Sequence, residues 1–219
     1  MYWEFMQKRV EKVVLDSYKS MYRIARTFVG NEKEAFDIVQ DSVYKAARST
    51  EKVKSQRYIR TWFYKIVLER SMNFCLKNQK EVSFEELFDV YEWGIEGDNQ
   101  NLDMERALGI LSDRERAVII LHYFEGRELE EIGMILNANM GTVRSLIYRS
   151  LENLETEMGK DRMEHVEKWL EEMRKNYEDI DIPSDLKKRV DRGIKQAKAD
   201  SIRQQNSVNP FHIFKQVLN

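Results

Sequence analysis

The residues with the most specific chemistry lie in the run Glu128-Leu-Glu-Glu-Ile-Gly-Met-Ile-Leu-Asn-Ala-Asn-Met-Gly-Thr-Val-Arg-Ser-Leu-Ile147. Arg144 and Ser145 in its second half, with Tyr148 and Arg149 just after it, share one outward side near the start of a helix. Arginine donates in a fork to guanine edges and phosphates, and a helix carrying such donors on its first turns suits the major groove. Presenting them requires a helix-turn-helix, and the run has its parts. Ile132 and Leu136 are core residues one turn apart, and Gly133 is small where two helices cross closely. Asn137 stands where the turn needs a left-handed residue, and Asn139 can cap the second helix. Val143, Ile147, Leu151 and Leu154 hold that helix against the first. An ordinary helical hairpin is the alternative, but it needs none of these turn and cap residues.

No other cluster suggests catalysis, and the expectation is that the chain is not an enzyme. His122, His165 and His212 are isolated and match no ligand spacing, so neither metal nor cofactor is expected. Phosphate-binding glycine loops and nucleophile–base pairs are not seen. The lone Cys75 sits in an apolar stretch, where a buried inert thiol is expected.

The surrounding elements read as helices throughout. The 219 residues include 2 Pro and 9 Gly, few enough to favour long helices over a turn-rich β protein. Val10, Val13, Val14, Tyr18, Met21, Tyr22, Ala25 and Phe28 recur at spacings of three and four up to a stop at Gly30-Asn31. Ala35, Ile38, Val39, Ser42, Val43 and Ala46 make a second stripe, and a third helix spans about 58–76. Further helices are expected at about 103–110, 112–124, 128–136, 140–158, 161–177 and from 183 to about 204. The fold class is all-α.

Charge divides the chain. Residues 1–80 carry 17 Lys and Arg against 9 Asp and Glu, whereas residues 81–103 carry 8 acids and no Lys or Arg. A basic block beside an acidic strip points to a nucleic-acid-facing domain and a linker. No apolar run approaches the ~20 residues of a membrane span, and no signal-peptide pattern opens the chain. One cysteine fits a reducing compartment, and the expected location is the cytoplasm.

Taken in order, these segments resemble the sigma-70 family of bacterial RNA polymerase sigma factors, extracytoplasmic-function group. Leu111-Ser-Asp-Arg-Glu-Arg-Ala-Val-Ile-Ile-Leu-His-Tyr-Phe-Glu-Gly126 with the helix-turn-helix looks like region 4. Met21–Ala25 and Gly30–Ala46 look like regions 2.1 and 2.2, and Tyr58–Val67 like regions 2.3 and 2.4. The resemblance covers about residues 10–158. It implies two small helical domains, region 2 over 1–80 and region 4 over 104–159. An acidic linker over 81–103 joins them, and a helical extension over 160–219 follows.

The resemblance also implies partners and roles. Core RNA polymerase, through its β′ and β subunits, would meet Asp37, Gln40, Asp41 and Tyr44, which share one helix side. The −10 promoter element would meet Lys52, Lys54, Arg57, Arg60 and Lys65 for phosphates, with Tyr58 and Tyr64 for stacking on unpaired bases. Trp62 reads instead as core. Arg144, Ser145, Tyr148 and Arg149 would face the −35 element. An anti-sigma factor is a further implied partner. Two departures stand out. Leu146, Leu151, Glu152 and Asn153 occupy recognition-helix positions that are often basic, and Leu68-Glu69 stands where an Arg-Asn pair is frequent. A sigma-like regulatory or interaction protein without promoter melting is the competing reading.

The extension carries its own apolar stripes, Val166, Trp169, Leu170 and Met173, then Leu186, Val190 and Ile194, and each needs a cover. Residues Ile180–Lys198 resemble the segment preceding the membrane helix in some anti-sigma factors. The expectation is a tail that packs on the preceding domains and restrains them; an extra lobe that only adds stability is the alternative.

Overall fold

The first element, α1 (Tyr2–Val29), buries Met6, Val10, Val14, Met21, Ile24, Ala25 and Phe28, one stripe at spacings of three and four. Val13 and Tyr18, expected in the core, are half-buried at its margin. Gly30 ends α1 at φ 71°, a left-handed residue that glycine adopts at no steric cost. Asn31 then caps α2 (Glu32–Arg48), its Oδ1 accepting from the Glu34 amide at 2.9 Å. After two single turns, Thr50–Lys52 and Gln56–Tyr58, comes α3 (Ile59–Glu81). It contributes Ile59, Phe63, Ile66, Val67 and Leu68 to the core shared with α1 and α2, and Trp62 packs half-buried beside them.

This computed structural model describes residues 2–53, 55–81, 99–158 and 166–208. The acidic linker expected at 81–103 therefore lies largely outside the described residues, although its last part opens α4 (Asn99–Gly109). The second domain continues with α5 (Asp113–Ile119), a π turn over Ile120–Phe124, α6 (Leu129–Leu136) and α7 (Met140–Met158). The π turn replaces the end of the helix expected over 112–124. The Glu125 amide reaches back five residues to the Ile120 carbonyl at 2.9 Å, and Arg127 to that of Leu121 at 2.7 Å. Gly126 at φ 61° lets the chain turn away. Ala117–Leu121, Ile132, Val143 and Leu154 form this core.

The two domains touch directly. Arg116 is almost wholly buried between them: its Nε donates to Leu108 O at 2.9 Å, Nη1 reaches Thr27 O at 3.4 Å, and the guanidinium lies 5.3 Å from the Phe28 ring centre. Arg26 pairs with Glu105 at 3.2 Å, and α3 packs on α6. Cys75 is half-buried and donates to the Phe28 carbonyl; burial pushes its thiol up to about 11.

The extension forms α8 (Val166–Glu178) and α9 (Leu186–Val208). The first buries Val166, Leu170, Met173 and Tyr177 against α4 and the π turn. The second buries Leu186, Val190, Ile194 and Ala197 and lies on α2 and α1. Every described element is helical or a turn, with no strand among the described residues, as the sequence pattern requires. None of the described helices is long and apolar enough to cross a membrane.

Candidate nucleic-acid and polymerase interfaces

The helix-turn-helix is built as its residues demand. Asn137 ends α6 in the left-handed region, at φ 51° and ψ 52°, the only described non-glycine residue with positive φ. Asn139 Oδ1 accepts from the Thr142 amide at 2.8 Å and starts α7. Gly133 has a different reason from the expected helix crossing. A Cβ there would stand 2.8 Å from the carbonyl oxygen of Ala138, a backbone atom in the turn, whereas the nearest atom of α7, Val143 Cγ2, is 3.9 Å away. The glycine makes room for the turn rather than for the second helix.

With Val143, Ile147 and Leu154 turned inward, Arg144, Ser145, Tyr148 and Arg149 are all exposed on one side of α7, and Tyr148 is 73% accessible. The departures from the usual basic run are in part packing positions. Leu146 and Leu151 are half-buried against the core, and Asn153 Nδ2 reaches Glu115 Oε1 at 3.4 Å. Leu68 is buried in the other domain, while Glu69 is exposed between Lys45 and Lys65 at 3.8 and 3.9 Å.

The expected −10 residues separate into two groups. Lys52, Arg57, Tyr58 and Arg60 are exposed around the turns before α3, and Arg57 lies 6.0 Å from the centre of the Tyr58 ring. Lys65 is half-buried nearly two turns into α3, and Lys54 lies outside the described residues. Tyr64 differs from expectation. It is 3% accessible, because α3 packs on the second domain there. Its hydroxyl donates to Glu125 Oε2 at 2.6 Å, and Arg127 lies 5.6 Å from its ring centre. Burial, then the Glu125 carboxylate, raises its hydroxyl pKa well above the ordinary tyrosine value. In this arrangement Tyr64 presents no face to a base.

On α2, Asp37 and Asp41 are exposed while Gln40 and Tyr44 are half-buried. Asp41 accepts from Arg70 Nη1 at 2.8 Å, and Tyr44 Oη donates to Asp200 of α9 at 3.0 Å. The four residues share one side of the helix, and α9 borders that side.

Sequence reasoning missed the residues that join the parts. Tyr177 of α8 is fully buried against Phe124, with ring centres 5.2 Å apart. Its hydroxyl donates to Glu125 Oε1 at 2.5 Å and lies 3.5 Å from Ser20 O of α1. Arg23 Nη2 donates to the Glu178 carbonyl at 2.6 Å. One carboxylate, Glu125 of the second domain, thus receives one hydroxyl from the first domain and one from the extension. The available signal was spacing: Tyr177 follows Val166, Leu170 and Met173 on one stripe, four residues past the last.

Both domains match known family models. Residues 14–81 match the family description "Sigma-70 region 2" and residues 107–155 match "Sigma-70, region 4". RNA polymerase sigma factor SigV of Bacillus subtilis is 35% identical over 149 residues, covering 68% of this chain and 90% of its own. The ECF RNA polymerase sigma factor SigW of the same organism is 28% identical, covering 66% and 87%. Among solved structures, sigma factor RpoE in complex with the anti-sigma factor NepR from Bartonella quintana matches with a TM-score of 0.49 at 23% identity, covering 65% of this chain and 90% of that one. With a region 2 bundle, a region 4 helix-turn-helix, and a relative spanned almost end to end, this chain belongs to the sigma-70 family of RNA polymerase sigma factors, in the extracytoplasmic-function group.

Proposed function

We propose that this sigma factor docks on core RNA polymerase through the Asp37–Asp41 edge of α2 and reads promoters with two separate surfaces. Arg144, Ser145, Tyr148 and Arg149 enter the major groove at the −35 element. Lys52, Lys54, Arg57, Arg60 and Lys65 hold the phosphates of the opened −10 strand, and Tyr58 stacks on an unpaired base. Tyr64 joins that surface only after the second domain moves off α3. Both partners are found in the bacterial cytoplasm, where the protein acts.

The observation that carries this reading is the geometry of α7. Four polar or aromatic side chains project from its first turns, on a helix whose opposite side is locked by Val143 and Ile147 and whose entry is fixed by Asn137 and Asn139. The exposed basic and aromatic turns ahead of α3 support the second surface.

The test is transcription in vitro by core polymerase and an excess of the full chain on genomic DNA, with the transcripts sequenced. Start sites sharing two upstream elements are expected. Absence of any start site dependent on the added chain refutes the reading.

A further inference from the structure

The extension packs along the flank of the helix that the proposed docking uses, against Gln40 and Tyr44, and leaves Asp37 and Asp41 exposed. Helix α9 runs along α2 in the same direction. Near the start of the contact, Arg189 lies 4.1 Å from the centre of the Phe36 ring. In the middle, a Cβ on Gly193 would stand 3.4 Å from Val43 Cγ1 and 3.6 Å from the Gln40 carbonyl. Farther on, Asp200 accepts the Tyr44 hydroxyl at 3.0 Å. Phe36 and Val43 are both buried, as are Leu186, Val190, Ile194 and Ala197 on α9. Lys198 pairs with Glu11 of α1 at 2.7 Å and fixes the far end sideways. A helix with side chains is about 10 Å across, so α9 fills the space beside Gln40 and Tyr44 that a docking partner needs.

A second contact holds the two domains together. The Tyr64–Glu125–Tyr177 cluster and the Arg23–Glu178 bond place α8 in the corner between them. With Tyr64 Oη 2.6 Å from Glu125, region 4 is held directly against α3, the helix whose first turns carry Arg60 and Lys65. Elements centred near −10 and −35 are about 25 base pairs, or ~85 Å, apart along straight duplex. Reading both requires region 4 to swing free of region 2, and these contacts oppose that movement while they hold.

We propose that α8 and α9 are a built-in inhibitor. Helix α9 masks α2 from core polymerase while α8 clamps region 4 onto region 2, and the chain becomes competent only when the extension is displaced. This rests on the reading of α2 as the polymerase-docking helix. A tethered mask has a high effective concentration, and partner affinity falls by the fraction of molecules left open. A mask seated nine-tenths of the time weakens polymerase binding about tenfold.

Gly193 offers a test in both directions using the full chain. With Cys75→Ser to remove the native thiol, Gly193→Cys and Val43→Cys can be joined, because a Cβ at 193 lies 3.9 Å from that of Val43, within the span of a disulfide. The oxidised form is expected to bind core polymerase at least about tenfold more weakly than the same protein after reduction. In a second variant, Gly193→Arg drives a long side chain into Val43 and the Gln40 carbonyl and lifts α9 away. Amide exchange along α2 should rise while the region 2 core stays protected, and polymerase binding should tighten. Equal binding by oxidised and reduced forms, together with unchanged binding by Gly193→Arg, overturns the mask and leaves α2 as the dock. No binding by any form overturns the docking reading, and the mask with it.

Discussion

Replacing Tyr177 with Phe isolates the bond at the corner of the molecule. The ring keeps its place against Phe124, so packing changes little, and only the hydroxyl is lost. That hydroxyl donates to a carboxylate, and hydrogen bonds to charged groups contribute about 1.5–3 kcal/mol. Its approach to Ser20 O at 3.5 Å adds little, and Glu125 keeps its bond from Tyr64. The expected loss at pH 7 is therefore about 2 kcal/mol in urea unfolding followed by circular dichroism. The pH dependence provides a sharper check. Burial first, and the Glu125 carboxylate second, raise the Tyr177 hydroxyl pKa well above 10 in the folded chain. A group with a raised folded pKa contributes its stability in full below its unfolded pKa and loses it as pH climbs toward the folded value. With an unfolded pKa near 10, the wild type loses about 1.4 kcal/mol through this group by pH 11. The variant has no such proton to hold, so the two stability curves must converge above pH 10. A gap that stays constant to pH 11, or one below about 0.5 kcal/mol at pH 7, refutes the reasoning.

Four further outcomes are expected. Gly133→Ala forces a methyl to 2.8 Å from the Ala138 carbonyl and should cost about 1–3 kcal/mol in thermal or urea unfolding, with −35 binding falling in parallel. Arg144→Ala and Arg149→Ala should each weaken promoter binding: a base-reading arginine by about 1–3 kcal/mol with relaxed specificity at one position, a phosphate-binding one uniformly with a shallower salt slope. Asp37→Lys with Asp41→Lys should slow association with core polymerase and alter its salt dependence, while helicity in circular dichroism stays intact. Cys75, with its thiol pushed up to about 11, should react with iodoacetamide at pH 7 far more slowly than a free cysteine and should reach the normal rate in urea.

The helices and the helix-turn-helix were legible because they depend on short-range pattern. Asn137 and Asn139 mark the turn by what a short amide side chain can do locally, and α6 and α7 fall within a residue of their expected limits. Spacing also revealed that the stripes on residues 166–173 and 186–194 needed a cover. What spacing cannot encode is which surface supplies it. Tyr64 looked like an exposed aromatic because its neighbours in sequence are basic, yet its surroundings come from Glu125, sixty-one residues on, and from α8 beyond that. Arg116 looked like a surface charge on a short helix, and its partners are carbonyls of Leu108 and of Thr27 in the other domain. Gly133 showed that a small residue was required but not that a carbonyl, rather than a helix, required it.

The π turn at Ile120–Phe124 has a consequence in helical phase. A hydrogen bond spanning five residues instead of four inserts one residue into the helix, and one residue is about 100° of rotation. Everything after Ile120 is therefore turned by more than a quarter circle relative to an uninterrupted helix. That rotation carries Phe124 beneath the Tyr177 ring and brings the Glu125 carboxylate out between the two tyrosine hydroxyls. With the phase restored, the carboxylate would swing away from that gap, and neither hydroxyl would find its acceptor. The socket that seats the extension is thus the product of a single extra residue in the backbone count, and it leaves the residues of the helix-turn-helix, which fold around their own turn, unaltered.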